Sequence, residues 1–242
     1  EANVVSDMMA EFSQAEAFSM IQNNDQGATS LPYGGSNGLR GLNQYAGEAA
    51  TYAGGETTAA AFGTSGTGSS SGLHSLATYD QLTTNANTVG AANVTYKDLV
   101  NFIFALAPQY RVPTSKFIVN TTFMAQIRGL ADDQGAPIFN RNQGLSVDGV
   151  IGSLLGFDVV ESTYLDLPSQ AATGSAGTTS LYPMYFGDFQ KGFTIVDRLN
   201  MVLRRYDQTL PGFITFFGEK RLATSVVDPN AIIRYRSTGT AT

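Results

Sequence analysis

The segment between Tyr185 and Ile233 constrains the fold of this chain more than any other. It runs Tyr-Phe-Gly-Asp-Phe-Gln-Lys-Gly-Phe-Thr-Ile-Val-Asp-Arg, then Met-Val-Leu-Arg-Arg-Tyr-Asp, then Gly-Glu-Lys-Arg-Leu-Ala and Asp-Pro-Asn-Ala-Ile-Ile. These are short strand-like runs at close spacing, each closed by a turn residue or a charge. Apolar and polar positions alternate from Met201 to Asp207 and from Phe213 to Val227, the period of a strand with two unlike faces. The pattern predicts two long antiparallel strands joined near Leu210-Pro211-Gly212. Glu219 and Arg221 are two residues apart, so in a strand they share a face. They form either a surface ion pair of small weight or a contact between subunits, where charges fix register and partner choice.

Upstream, helix and strand patterns alternate. Val4, Val5, Met8, Met9, Phe12, Ala15, Phe18 and Ile21 recur at helical spacing, and the run stops at Asn23-Asn24-Asp25-Gln26-Gly27. Leu31-Pro32-Tyr33-Gly34-Gly35 and Gly38-Leu39-Arg40-Gly41-Leu42 follow. No strand precedes these glycines and no Lys-Ser/Thr helix start follows, so they are not a phosphate loop. Gly54 to Gly72 is dominated by Gly, Ser, Thr and Ala, a composition that predicts a mobile loop inserted within a domain. Thr95-Tyr96-Lys97-Asp98 is a capping-box variant opening a helix that buries Leu99, Val100, Ile103 and Leu106. Lys116 to Asn120 reads as a buried strand. Thr121 or Thr122 then caps a helix carrying Phe123, Met124, Ile127 and Leu130 inward. Gly149 to Gly156 reads as a glycine-bounded turn feeding a strand from Phe157 to Ser162.

The side chains that carry chemistry are scarce. There is no cysteine, which excludes disulfides, thiolate metal sites and cysteine nucleophiles. His74 is the only histidine, and no Gly-x-Ser-x-Gly elbow accompanies it. Asp132-Asp133 reads as a solvated helix end, because adjacent carboxylates cannot flank a scissile bond. Asp158, Glu161 and Asp166 cluster in sequence but do not follow the offsets of a calcium loop. No cofactor is implied. The net charge of -6, with adjacent basic residues only at Arg204-Arg205 and Lys220-Arg221, argues against a protein built to grip nucleic acid. No stretch approaches a membrane span. The chain opens at Glu1 inside a helical pattern, which suggests a processed or trimmed product. At 242 residues it can bury a large core in one domain or two linked ones.

The order of these signals resembles the tailed-phage major capsid proteins of the Hong Kong 97-type shell fold. It is carried by Gly-Asp, Asp-Arg, Glu-x-Arg and Pro-x-Ala-Ile in the late segment. Upstream it is carried by the first helix running into Gly-Leu-x-Gly-Leu, by Asn-Thr-Thr-Phe, and by Asp-Gly-Val-Ile-Gly-Ser-Leu-Leu-Gly-Phe-Asp-Val-Val-Glu-Ser. The resemblance covers most of the chain and is weakest between Gly54 and Asn93. It implies a mixed α/β (α+β) fold with a peripheral domain in two parts, 1–44 (a spine helix) and 196–228 (long strands). It also implies an axial domain over 45–195, to which 229–242 returns as a strand. The family's N-terminal arm and extended loop would precede Glu1, so the fragment is expected to be a monomer or an isolated ring.

The implied function is structural. Copies of the chain would form pentamers and hexamers that tile an icosahedral head shell, in the bacterial cytoplasm during assembly and then in the virion. Packaged double-stranded DNA would be a non-specific neighbour, with no membrane partner and no enzymatic activity. Candidate subunit-contact residues are Glu219, Arg221, Arg198 and Arg40. An encapsulin-type compartment shell is the nearest alternative, and a small α/β enzyme a more distant one. In the Hong Kong phage shell a Glu of this late strand promotes a Lys–Asn isopeptide bond. Glu219 matches that Glu, but no Asn lies between Asp207 and Arg221, so cross-linking is not expected.

Overall fold

The computed structural model describes residues 2–23, 39–45, 47–49, 76–81, 94–130, 139–140, 150–168, 181–206 and 214–237. The loop from Gly54 to Gly72, His74, Asp132-Asp133 and the Leu210-Pro211-Gly212 connection lie outside the described residues. The chain divides into two compact units, Glu1–Gln44 with Phe193–Ser225, and Tyr45–Gly192 with Val226–Thr242.

In the first unit, helix α1 (Ala2–Gln22) packs on a two-stranded sheet of β8 (Phe193–Tyr206) and β9 (Thr215–Val226). The contact is close at Gly218, where a β-carbon would lie 2.8 Å from Phe12 Cε2, 3.2 Å from Met8 Cε and 3.2 Å from Leu203 Cδ2. Val5, Met8 and Phe12 are half-buried, whereas Val4 and Met9 are 44% and 52% exposed. The packed stripe is therefore narrower than the apolar pattern predicts. The helix end is tied to the returning chain: Gly41 N donates to Asn23 O at 2.9 Å, and Asn23 Nδ2 donates to Leu39 O. Gly41 is required here, since a β-carbon would fall 2.6 Å from the carbonyl carbon of Ile21.

The second unit is built on an eight-stranded mixed sheet. Its strands are β1 (Gly47–Ala49), β2 (Leu76–Asp80), β3 (Lys116–Asn120), β4 (Phe139–Asn140), β5 (Val150–Leu154), β6 (Phe157–Ser162), β7 (Leu181–Gly187) and β10 (Ile232–Ser237). Their order is β1-β2-β10-β7-β3-β6-β5-β4. Pairing is parallel for β1/β2, β2/β10 and β3/β6, and antiparallel for β10/β7, β7/β3, β6/β5 and β5/β4.

Helix α2 (Tyr96–Phe104) starts at the reciprocal Thr95–Asp98 capping box, which satisfies otherwise orphaned backbone donors. It buries Leu99, Phe102 and Ile103. Phe102, absent from the sequence-derived face, is its central contact. It meets Tyr235 edge-on at 5.6 Å and lies 6.4 Å from Phe117 and 6.3 Å from Phe186, and Phe117 stacks on Phe186 at 4.4 Å. Val100 is only half-buried.

Two local readings are corrected by the structure. The cap of α3 (Thr121–Arg128) is Asn120, not Thr121 or Thr122: its side chain accepts from Thr122 N at 2.8 Å and donates to Leu165 O at 2.8 Å. One residue thus ends a strand and starts a helix. The segment from Gly149 to Gly156 is largely the strand β5, and the turn is confined to Leu155-Gly156, both with positive φ (49° and 91°). A two-residue hairpin loop of that kind matches the twist of its strands, and Leu155 offsets its unfavourable backbone by packing on the core.

β7 closes at Gly187, after which Asp188 caps the single turn α4 (Phe189–Gly192), accepting from Gln190 N at 3.2 Å. At the centre of the sheet the wholly buried Arg234 donates to Thr78 Oγ1 and Tyr45 O, both at 2.8 Å, and lies over the Tyr182 ring at 4.0 Å. Burying a guanidinium is costly unless its donors are satisfied. Here hydroxyl, carbonyl and aromatic face share that role.

Candidate contact face on the two-stranded sheet

Strand parity divides β8 and β9 into two faces. Gly218 and Leu203 meet α1, and Lys220 pairs with Glu16 of α1 at 2.8 Å and reaches Asp197 at 3.9 Å. The Glu16 hydrogen bond raises the Lys220 pKa above its ordinary value. That face is the inner one. Residues of the opposite parity, Val196, Arg198, Val202 and Arg204 on β8 and Phe217, Glu219 and Arg221 on β9, form the outer face. Val196 and Phe217 remain 56% and 47% exposed there.

On the outer face Arg221 Nε donates to Glu219 Oε1 at 2.6 Å, with side chains 59% and 34% exposed. Arg204 carries a raised pKa from the Tyr206 hydroxyl and, more weakly, from the field of Glu219. Arg198 is exposed. The structure therefore places Arg198, Glu219 and Arg221 on one face. It does not bring Arg40 there: Arg40 is 7% exposed beside the end of α1. It was a candidate contact residue, but the close Gly41–Ile21 approach draws it inward. Arg204 was legible as one of an adjacent basic pair, but only the position of α1 shows which of Arg204 and Arg205 points outward.

Among the described residues no three His, Cys, Asp or Glu side chains gather to hold a metal, and no helix is long and apolar enough to cross a membrane. What the unit offers is a broad outer strand face on which exposed apolar and charged side chains are interleaved, the composition of a protein contact surface.

A mixed-sheet unit together with a helix-backed strand pair is a fold shared with several solved structures. The capsid of an empty GTA particle superposes with a TM-score of 0.65 at 19% identity, covering 97% of this chain and 65% of that one. The native GTA particle capsid gives 0.64 at 20% identity, with 97% and 64% covered. Gordonia phage Cozz gives 0.51 at 14%, again with 97% and 64% covered. The chain thus spans slightly under two thirds of the length of these relatives. No curated protein sequence is significantly similar to it. The chain belongs to the phage capsid family, whose sequence profile matches residues 1–237.

Proposed function

We propose that this chain is the structural major capsid protein of a phage head, self-associating into pentamers and hexamers that tile an icosahedral shell. The family match over residues 1–237 carries this reading. The second unit supplies the axial domain, and α1 with β8 and β9 the peripheral domain. Arg198, Glu219 and Arg221 contribute to contacts between copies, while Arg40 is buried. The protein acts by assembly and not by catalysis. It is made in the bacterial cytoplasm and ends in the virion, facing packaged DNA without specific grip. The net charge of -6 supports a wall that does not adhere to its contents.

Sedimentation and electron microscopy of the purified protein test the reading. Rings or shells built only of this chain are the expected outcome. A full-length protein that stays monomeric at every concentration, alone and with phage lysate components, would exclude it. An encapsulin-type shell would instead co-purify with a cellular enzyme inside it.

A further inference from the structure

Charge is segregated within the first unit. Helix α1 carries Asp7, Glu11 and Glu16 and no basic residue, whereas β8 and β9 carry five basic residues against two acidic ones. Glu16 is used internally by Lys220. Asp7 and Glu11 are exposed, and two like charges one turn apart are unfavourable in an isolated helix. On the strand pair, Glu219 is engaged by Arg221, which leaves Arg198 and Arg204 with no salt bridge to a carboxylate among the described residues. Each surface carries an excess of one sign, and each is the complement of the other.

The two surfaces cannot meet within one copy. Met8, Phe12 and Glu16 hold α1 against the inner face of the strands, so Asp7 and Glu11 point away from the strands while Arg198 and Arg204 lie on the strands' far side. We infer that the exposed acidic side of α1 in one copy docks on the outer Arg198/Arg204 face of β8 and β9 in a second copy. Two different patches on opposite sides of one unit give a head-to-tail contact, which closes into a ring or runs on as a filament, and does not stop at a two-fold dimer. Val196 and Phe217 supply apolar area to the same face, and the charges set register and partner choice. The inference rests on the self-assembly reading above and specifies one of its contacts.

A charge swap tests it. Sedimentation velocity would compare the wild-type protein, Arg198→Glu/Arg204→Glu, Asp7→Lys/Glu11→Lys, and the protein with all four substitutions. The milder Arg198→Ala/Arg204→Ala variant and circular dichroism would guard against misfolding. Each charge-reversed pair is expected to raise the concentration for half-association at least about tenfold, and the fourfold variant to return within about threefold of wild type. Wild-type association is expected to weaken at ~0.5 M salt. If the paired variants associate as wild type does, or the fourfold variant stays dissociated, this docking is wrong while self-assembly stands. A wild-type protein that never associates overturns both. Loss of binding to a short DNA duplex in Arg198→Glu/Arg204→Glu, with association unchanged, would make the face a nucleic-acid surface and overturn the docking.

Discussion

Gly187 and Ala231 are pressed together so tightly that the site of a β-carbon on Gly187 is occupied by the Ala231 carbonyl oxygen, with Ile232 Cα 2.8 Å away. The same carbonyl accepts from Asp188 N at 2.9 Å, so it cannot swing aside without losing that bond. Gly187 also has a φ of 152°, a conformation that side chains disfavour. Gly187→Ala is expected to cost more than about 3 kcal/mol, read as a lowered urea midpoint with unchanged slope. A loss below ~1 kcal/mol would show that the β7–β10 junction yields easily.

Arg234 and Tyr235 are neighbours with opposite expectations. Replacing Arg234 by Met removes the buried donors to the Tyr45 carbonyl and the Thr78 hydroxyl, and should cost about 3 kcal/mol or more. Arg234→Lys should recover little, because an ammonium cannot span both acceptors and lie flat on Tyr182. The Tyr235 hydroxyl is buried with no hydrogen-bond partner among the described residues. Tyr235→Phe should therefore be neutral, or stabilising by up to about 1 kcal/mol. Thermal melts of the three variants decide both points.

The tie between helix and strands at Lys220–Glu16 is half-buried, with side chains 20% and 24% exposed. A double-mutant cycle of Lys220→Met and Glu16→Gln should return a coupling of about 0.5–1 kcal/mol, shrinking as salt is added. A coupling that ignores salt would indicate that packing of the two stems, and not charge, holds the contact.

Alkali should unfold the second unit through its tyrosines. Burial pushes the Tyr79 phenol from 10.0 up to about 12, and pushes Tyr185 and Tyr235 up as well. A raised folded-state value means that the stabilisation is full below pH 10 and drains as the pH rises from 10 towards 12. The slope is on the order of 1.4 kcal/mol per pH unit per phenol. Phenolate absorbance should rise together with loss of circular dichroism. Phenolate appearing well before unfolding would mean that these hydroxyls reach water.

Signals that are local in the chain could be read from sequence, and those set by a partner element could not. The Thr95–Asp98 box declares itself within four residues because donor and acceptor are both local. Lys116–Asn120 was equally plain from its apolar run. The cap at Asn120 was missed because its second bond goes to Leu165, forty-five residues on. β5 was mistaken for a turn because its glycine suggests a break, yet pairing with β6 overrides that propensity. On β8 and β9, period-two alternation showed that there are two faces. Only the position of α1 decides which one turns outward, and that decision puts Arg198 on the outer face.

The position of β10 fixes a timetable. It is the last strand in chain order, yet it lies between β2 and β7 and separates β1-β2 from the five strands on the other side. During synthesis the other described strands emerge before this one, so until then its neighbours β2 and β7 present open edges. Such edges invite pairing with other chains. A nascent chain is thus exposed to mispairing at these edges until β10 emerges. Inserting this one short strand joins the two halves of the sheet and covers both edges.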